Sequence, residues 1–307
     1  MLGRDFTSIL DLDAESLAHV LDVSLGMKRD GAGPMLAGKT LALVFEKPSL
    51  RTRVSFEMAM QRLGGHTIAL PPHEIQMGDR EPVKDVARVL SRMVHGVAAR
   101  TYDHDTVLEL VKHASIPVIN ALSEAEHPCQ ALADLLTLRE RFGDLRGVKW
   151  TYVGDGNNVV RSLAYASVLA GLDFTIATPP DFALPDEDLA RANSLEGPGT
   201  VTQTTDAHAA VSAAAVVYTD VWASMGHEDE LEDRKEHFQP YQVNAELMAS
   251  APSDVLVMHD LPAHRGEEIS DDVIESASSI VFDQAENRMH AQQALVALLM
   301  AETPPVA

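Results

Sequence analysis

The sequence predicts an α/β fold, two doubly wound parallel-sheet domains joined by interdomain helices. Helical and extended patterns alternate along its whole length, and strands separated by helices imply parallel sheets covered on both faces. Two such series follow one another, and 307 residues suffice for two cores of ordinary size.

"DAESLAHVLDVSLGMKR" is an amphipathic helix whose acidic first turn and basic last turn complement the helix dipole. "GKTLALVFE" follows as a buried strand, and "SLRTRVSFEMAMQRLGG" as a helix stopped by Gly64-Gly65. "HTIAL" is a second strand, "DVARVLSRMVHG" a helix and "VAART" a third strand. A further helix and the strand "PVINAL" complete the first series. "HPCQALADLLTLRERFG" is then a helix, with proline at its favoured first position, spanning the junction to the second series. That series opens with "KWTYVGDGNNVVRSLAYASVLAG", read as strand, tight loop and helix. "DFTIATP", "AVVYTDVW" and "SDVLVMHDLP" supply strands, and "SSIVFDQAENRMHAQQALVALLMAE" reads as strand, loop and closing helix. The predicted domains are residues 1–142, completed by the C-terminal helix 289–307, and residues 143–288.

Composition narrows the function. The formal charge is −22, from 24 basic and 46 acidic residues, which disfavours nucleic acid and anionic membrane as partners. No apolar run approaches the ~20 residues that cross a bilayer, and the N-terminus has no basic region followed by an apolar core. A single cysteine, Cys129, excludes an intrachain disulfide and fits a reducing cytoplasm. The acidic, lysine-poor composition also suits a salt-rich habitat, where screening relieves self-repulsion. The midpoint of thermal unfolding should therefore rise by roughly 5 °C or more from low to molar salt. Flat stability across that range would remove this reading.

Candidate binding groups gather at predicted strand ends, where ligands of parallel sheets sit. "FEKPSLRTR" places Ser49, Leu50, Arg51, Thr52 and Arg53 at a helix start, whose free N–H groups and partial positive charge bind anions. Forked guanidiniums match phosphate oxygens two at a time. "HPCQ" sets His127 and Gln130 three residues apart, one able to polarise a carbonyl and the other to bind an amide. "GDGNNVV" lacks the spaced glycines of a dinucleotide loop and instead presents paired amides, Asn158 among them. "TDVWASMG" offers Asp220, then Ser224 and Met225, which suit an ammonium. "HDLPAHRGEE" carries Asp260 and Leu261, with Leu261-Pro262 a candidate for a cis bond. "AENRMHAQQAL" sets Arg288 at the start of the last helix. No His, Cys and Asp grouping has metal-ligand spacing, so no metal or organic cofactor is expected.

In order, "FEKPSLRTR", "GDREPVKDVARVLSR", "HPCQALADLLTL", "GDGNNV", "TDVWASMG", "HDLPAHRGEE" and "AENRMHAQQAL" resemble the carbamoyltransferase family, its ornithine branch most closely. The resemblance covers nearly the whole chain. It implies transfer of a carbamoyl group from carbamoyl phosphate to the δ-amine of L-ornithine, in a homotrimer or a multiple of trimers. Ser49, Leu50 (through its backbone N–H), Arg51 and Thr52 would bind the phosphate. Arg100, His127, Gln130 and Leu261 would hold the carbamoyl group, and Arg288 would close on the anion. Gln76 falls where the family's loop from a neighbouring subunit lies. Asn158, Asp220, Ser224 and Met225 would bind ornithine, with Arg100, His127, Asp220 and Asp260 nearest the chemistry. Transfer to another amine (lysine, putrescine or an acylated ornithine) and a non-catalytic binding relative are the alternatives.

One departure bears on mechanism. The family's loop reads His-Cys-Leu-Pro, whereas this chain has His259-Asp260-Leu261-Pro262. A second carboxylate beside Asp220 raises one pKa of the pair and holds an amine as ammonium. Altered turnover or pH dependence is the expectation.

Overall fold

The computed structural model describes residues 4–223, 231–303 and 305. The chain divides into two compact units, residues 1–140 with 286–307, and residues 141–285. The first unit holds four strands, β1 (Thr40–Phe45), β2 (His66–Leu70), β3 (Gly96–Arg100) and β4 (Val118–Leu122), in the order β2-β1-β3-β4. All pairings are parallel. Strands β1 and β3 are buried nearly throughout, while the edge strand β2 is partly exposed. That contrast explains why "TLALVF" is continuously apolar and "HTIAL" is not.

The second unit holds β5 (Lys149–Val153), β6 (Asp173–Ala177), β7 (Thr200–Thr204), β8 (Val216–Thr219) and β9 (Leu256–His259), in the order β7-β6-β5-β8-β9. Its pairings are parallel as well. Trp150, Phe174, Tyr152 and Tyr218 form a buried aromatic ladder across β5, β6 and β8. Leu261-Pro262 is cis.

Strand order decides where ligands can enter. In the first unit the winding reverses between β1 and β3, so the loops after these strands part and leave a crevice at their carboxyl ends. In the second unit the reversal falls between β5 and β8. The four loops at these two points begin at Glu46, Thr101, Gly154 and Asp220, so they carry or adjoin the predicted residues Ser49, Arg100, Asn158 and Asp220.

Two elements differ from the sequence reading. "SSIVFDQ" is not strand and loop: Ser279 makes a single bridge with Val257, and a helix runs from Val281 to Met300. Arg288 is therefore well inside that helix rather than at its start. Polar side chains at buried positions, Gln284, Asn287 and Arg288, concealed the helical spacing between Val281 and Ala291. Strand β7, "TVTQT", also escaped notice, because a polar strand at a sheet edge carries little apolar signal. No described helix is long and apolar enough to cross a membrane.

Candidate active site

In the first unit the helix Leu50–Arg62 begins at the crevice, with Ser49 as its N-cap. The Ser49 hydroxyl oxygen accepts from the Thr52 N–H at 3.2 Å and donates to Thr52 Oγ1 at 2.8 Å. Thr52 Oγ1 also accepts from Arg288 Nη2 at 2.9 Å, although the two residues lie 236 positions apart. Arg100 closes β3 and is 4% exposed, and Arg288 is 3% exposed. Arg51 is half-buried, whereas Arg53 is exposed and paired with Glu57 at 2.8 Å. Arg53 is thus a solvated ion pair on the helix rather than part of the cluster. Leu50 is exposed.

His127 precedes the helix Pro128–Phe142, and its carbonyl accepts from the Gln130 and Ala131 N–H groups. Burial, followed by the guanidiniums of Arg288, Arg100 and Arg51, holds its imidazole well below the usual histidine pKa of 6.5. The side chain is therefore neutral at pH 7 and can donate one N–H without adding charge. Arg288, Arg100 and Arg51 therefore all lie near enough to His127 to disfavour its charge. Such a gathering of cations favours an anionic ligand. Gln130 donates from Nε2 to Asp134 at 2.8 Å, which fixes the amide. Its Oε1 is buried and accepts no hydrogen bond among the described residues, an acceptor suited to an –NH2 group.

In the second unit Asn157, not Asn158, caps the helix Asn158–Ala170. Its Oδ1 accepts from the Val159 and Val160 N–H groups, and its Nδ2 donates to Asp220 Oδ2 at 2.8 Å. The doubled asparagine left open which residue would cap, so sequence reasoning missed this orienting contact. Asn158 sits half-buried on the first turn. Asp220 is 5% exposed at the end of β8 and hydrogen-bonds Asp260, which follows β9. Burial, then the Asp260 charge, pushes the Asp220 carboxyl well above its ordinary 3.8. The pair thus keeps a proton to higher pH than an isolated carboxyl would.

Beneath this pair lie His259 and Glu268, both fully buried, with Nε2 and Oε1 2.9 Å apart. His259 Nδ1 accepts from the Leu261 N–H at 2.9 Å and faces Asp260 at the longer 3.4 Å. When His259 is neutral the shorter contact puts its one proton on Nε2, toward Glu268; when it is charged, Nδ1 also carries a proton and turns to Asp260. Burial opposes a charge on His259, but Asp260, Glu268 and Asp220 outweigh it and push its pKa up to about 9. Leu261 has φ 59°, a left-handed backbone held by these contacts.

Asp220, His259 and Asp260 bring ligand atoms within 4.8 Å of one another, a grouping their sequence spacing did not reveal. Both imidazole nitrogens are already engaged, so the cluster is better suited to an ammonium than to a metal ion. Cys129 is buried against the Asn120 carbonyl, and burial pushes its thiol up to about 12, which leaves it inert. Gln76 is exposed at a left-handed turn after Pro72–Ile75. Ser224 and Met225 lie outside the described residues.

The comparisons with known proteins agree across the whole chain. The family described as aspartate/ornithine carbamoyltransferase, carbamoyl-P binding domain, matches residues 4–140, and its Asp/Orn binding domain matches residues 146–299. The anabolic ornithine carbamoyltransferase of Pyrococcus furiosus is 49% identical, over 98% of this chain and 97% of the relative. The ornithine carbamoyltransferase of Methanocorpusculum labreanum is 50% identical, over 98% and 99%. The solved structure of ornithine carbamoyltransferase from Pyrococcus furiosus superposes with a TM-score of 0.93 at 48% identity, covering 97% of each chain.

Proposed function

The chain belongs to the aspartate/ornithine carbamoyltransferase family, and we propose that it transfers the carbamoyl group of carbamoyl phosphate to the δ-amine of L-ornithine, giving L-citrulline and phosphate. The observation that carries this reading is the set of three guanidiniums around a neutral, buried His127 at the switch point of the first sheet. A dianionic phosphate neutralises that set, and helix Leu50–Arg62 presents its N-terminus to the same anion. Ser49, Arg51, Thr52 and Arg288 hold the phosphate; Arg100 and His127 donate to the carbamoyl oxygen; Gln130 Oε1 accepts from its amide.

The acceptor is an amino acid with a cationic side chain, which Asp220 and Asp260 bind and from which they take a proton. The neutral δ-nitrogen attacks the carbamoyl carbon, and its lone pair forms the new C–N bond. Charge then develops on the carbamoyl oxygen, where each preset donor is worth about 3–4 kcal/mol. Collapse breaks the C–O bond, the surplus proton on the attacking nitrogen passes to the departing phosphate, and hydrogen phosphate is released to the arginines. Every step uses side chains and substrates alone. The enzyme works in the cytoplasm as a homotrimer or a multiple of trimers, and Gln76 serves the site of a neighbouring subunit.

Incubation with carbamoyl phosphate and a panel of ornithine, lysine, putrescine and N-acetylornithine, with colorimetric detection of ureido products, tests this reading. Ornithine should be preferred by about a hundredfold, since a missing or blocked polar group leaves buried partners unpaired. Preference for another amine would reassign the acceptor. No ureido product from any amine would make the chain a non-catalytic binder.

A further inference from the structure

The loops that carry the phosphate-binding helix and Arg100 are fastened to each other by residues outside the proposed binding set. In the β1–β3 register Phe45 stands opposite Arg100, and one step further the Glu46 N–H donates to the Arg100 carbonyl at 2.8 Å. The Glu46 carboxylate then accepts from the Tyr102 N–H, also at 2.8 Å. Next, the Lys47 ammonium lies 4.3 Å from the centroid of the Tyr102 ring. Lys47 is only 8% exposed, an unusual state for a lysine, whose amine must be compensated when it leaves water. The same tyrosine accepts through its carbonyl from the Glu124 N–H at 3.0 Å, in the loop that leads to His127. Tyr102 thus joins three loops, although its own ring is half exposed.

We propose that Glu46, Lys47 and Tyr102 form a clamp that fixes the distance between the phosphate-binding turn Ser49–Thr52 and Arg100, so that all three are positioning residues for the carbamoyl donor. The proposal rests on the reading that these groups bind carbamoyl phosphate. Only Lys47 and Pro48 separate Glu46 from Ser49, and Pro48 stiffens the link, so a fixed Glu46-Lys47 pair fixes the helix start. Misplacing such groups by ~1 Å can cost up to a hundredfold. Lys47 also explains the basic density of "FEKPSLRTR": Arg51 faces the cluster, Arg53 pairs with Glu57, and Lys47 holds the loops.

The test is calorimetric titration of the full chain with carbamoyl phosphate and with inorganic phosphate, alongside steady-state kinetics. Lys47→Met and Tyr102→Leu should each weaken carbamoyl phosphate binding, and raise its KM, by about five- to tenfold, while kcat at saturation changes less than about threefold. Lys47→Arg, which still stacks a cation on the ring, and Tyr102→Phe, which keeps the ring, should bind within about twofold of the parent. Unchanged affinity in Lys47→Met and Tyr102→Leu overturns the clamp while leaving the proposed function intact. Equal loss in Tyr102→Phe also overturns it, since the hydroxyl and not the ring would then be at work. A parent chain that binds neither ligand overturns the functional reading and the clamp together.

Discussion

Replacing Arg100 with methionine should lower kcat/KM for carbamoyl phosphate by about a thousandfold or more. Methionine keeps the unbranched stem and removes only the donors. The loss should appear in kcat as well as KM, because a guanidinium facing the carbamoyl oxygen is used most when that oxygen gains charge. The same substitution should raise the thermal midpoint of the free protein. Burial first, and then Arg288, Arg100 and Arg51, keep His127 from charging, and removing one of three neighbouring cations relieves their mutual repulsion. A more stable, nearly inactive variant is therefore the expected outcome, read from citrulline formation and a melting curve. Activity within tenfold of the parent would remove Arg100 from the reaction.

Restoring cysteine at position 260 should move the rising limb of the kcat–pH curve down by about one unit and raise turnover below neutrality about tenfold. Two carboxyls, Asp220 and Asp260, stabilise an ammonium, so the bound amine gives up its proton only at higher pH. Removing one carboxylate lowers that threshold. Stability carries the same signature. Burial and then Asp260 raise the Asp220 pKa, and Asp260 with Glu268 and Asp220 raises that of His259 to about 9. For both groups the folded state holds its proton more tightly than the unfolded chain. Their contribution is thus complete at low pH and lost as pH rises through the folded pKa values. Between pH 6 and 9 the parent's thermal midpoint should fall more steeply than that of Asp260→Asn. Superimposable pH–rate curves for the parent and Asp260→Cys would show that Asp260 plays no part in acceptor activation.

Two parallel α/β series were legible because central strands such as "TLALVF" are buried on both faces and so apolar without interruption. The fold is hidden where burial and polarity part company. Gln284 is fully buried yet polar because its Oε1 accepts from the His259 N–H, which masks the start of the last helix. The edge strand β7 is masked for the opposite reason, being exposed and polar. At the candidate site, local chemistry announced Ser49, Arg51 and His127, each at a helix start. Contacts between distant segments were beyond sequence reasoning. Nothing in "DGNNV" says that Asn157 rather than Asn158 turns to Asp220, and nothing in "FEKPS" says that Lys47 lies on Tyr102. Such pairs are set by which loops the strand order brings together.

The central claim is that Arg51, Arg100 and Arg288 converge on one phosphorylated acyl donor. A crystal structure of the chain soaked with carbamoyl phosphate tests it most directly. Phosphate oxygens should lie within about 3 Å of the Arg51 and Arg288 guanidiniums and the Ser49–Thr52 turn, with the carbamoyl oxygen on Arg100 and His127. Density for the compound elsewhere, with no contact to these arginines, would contradict it.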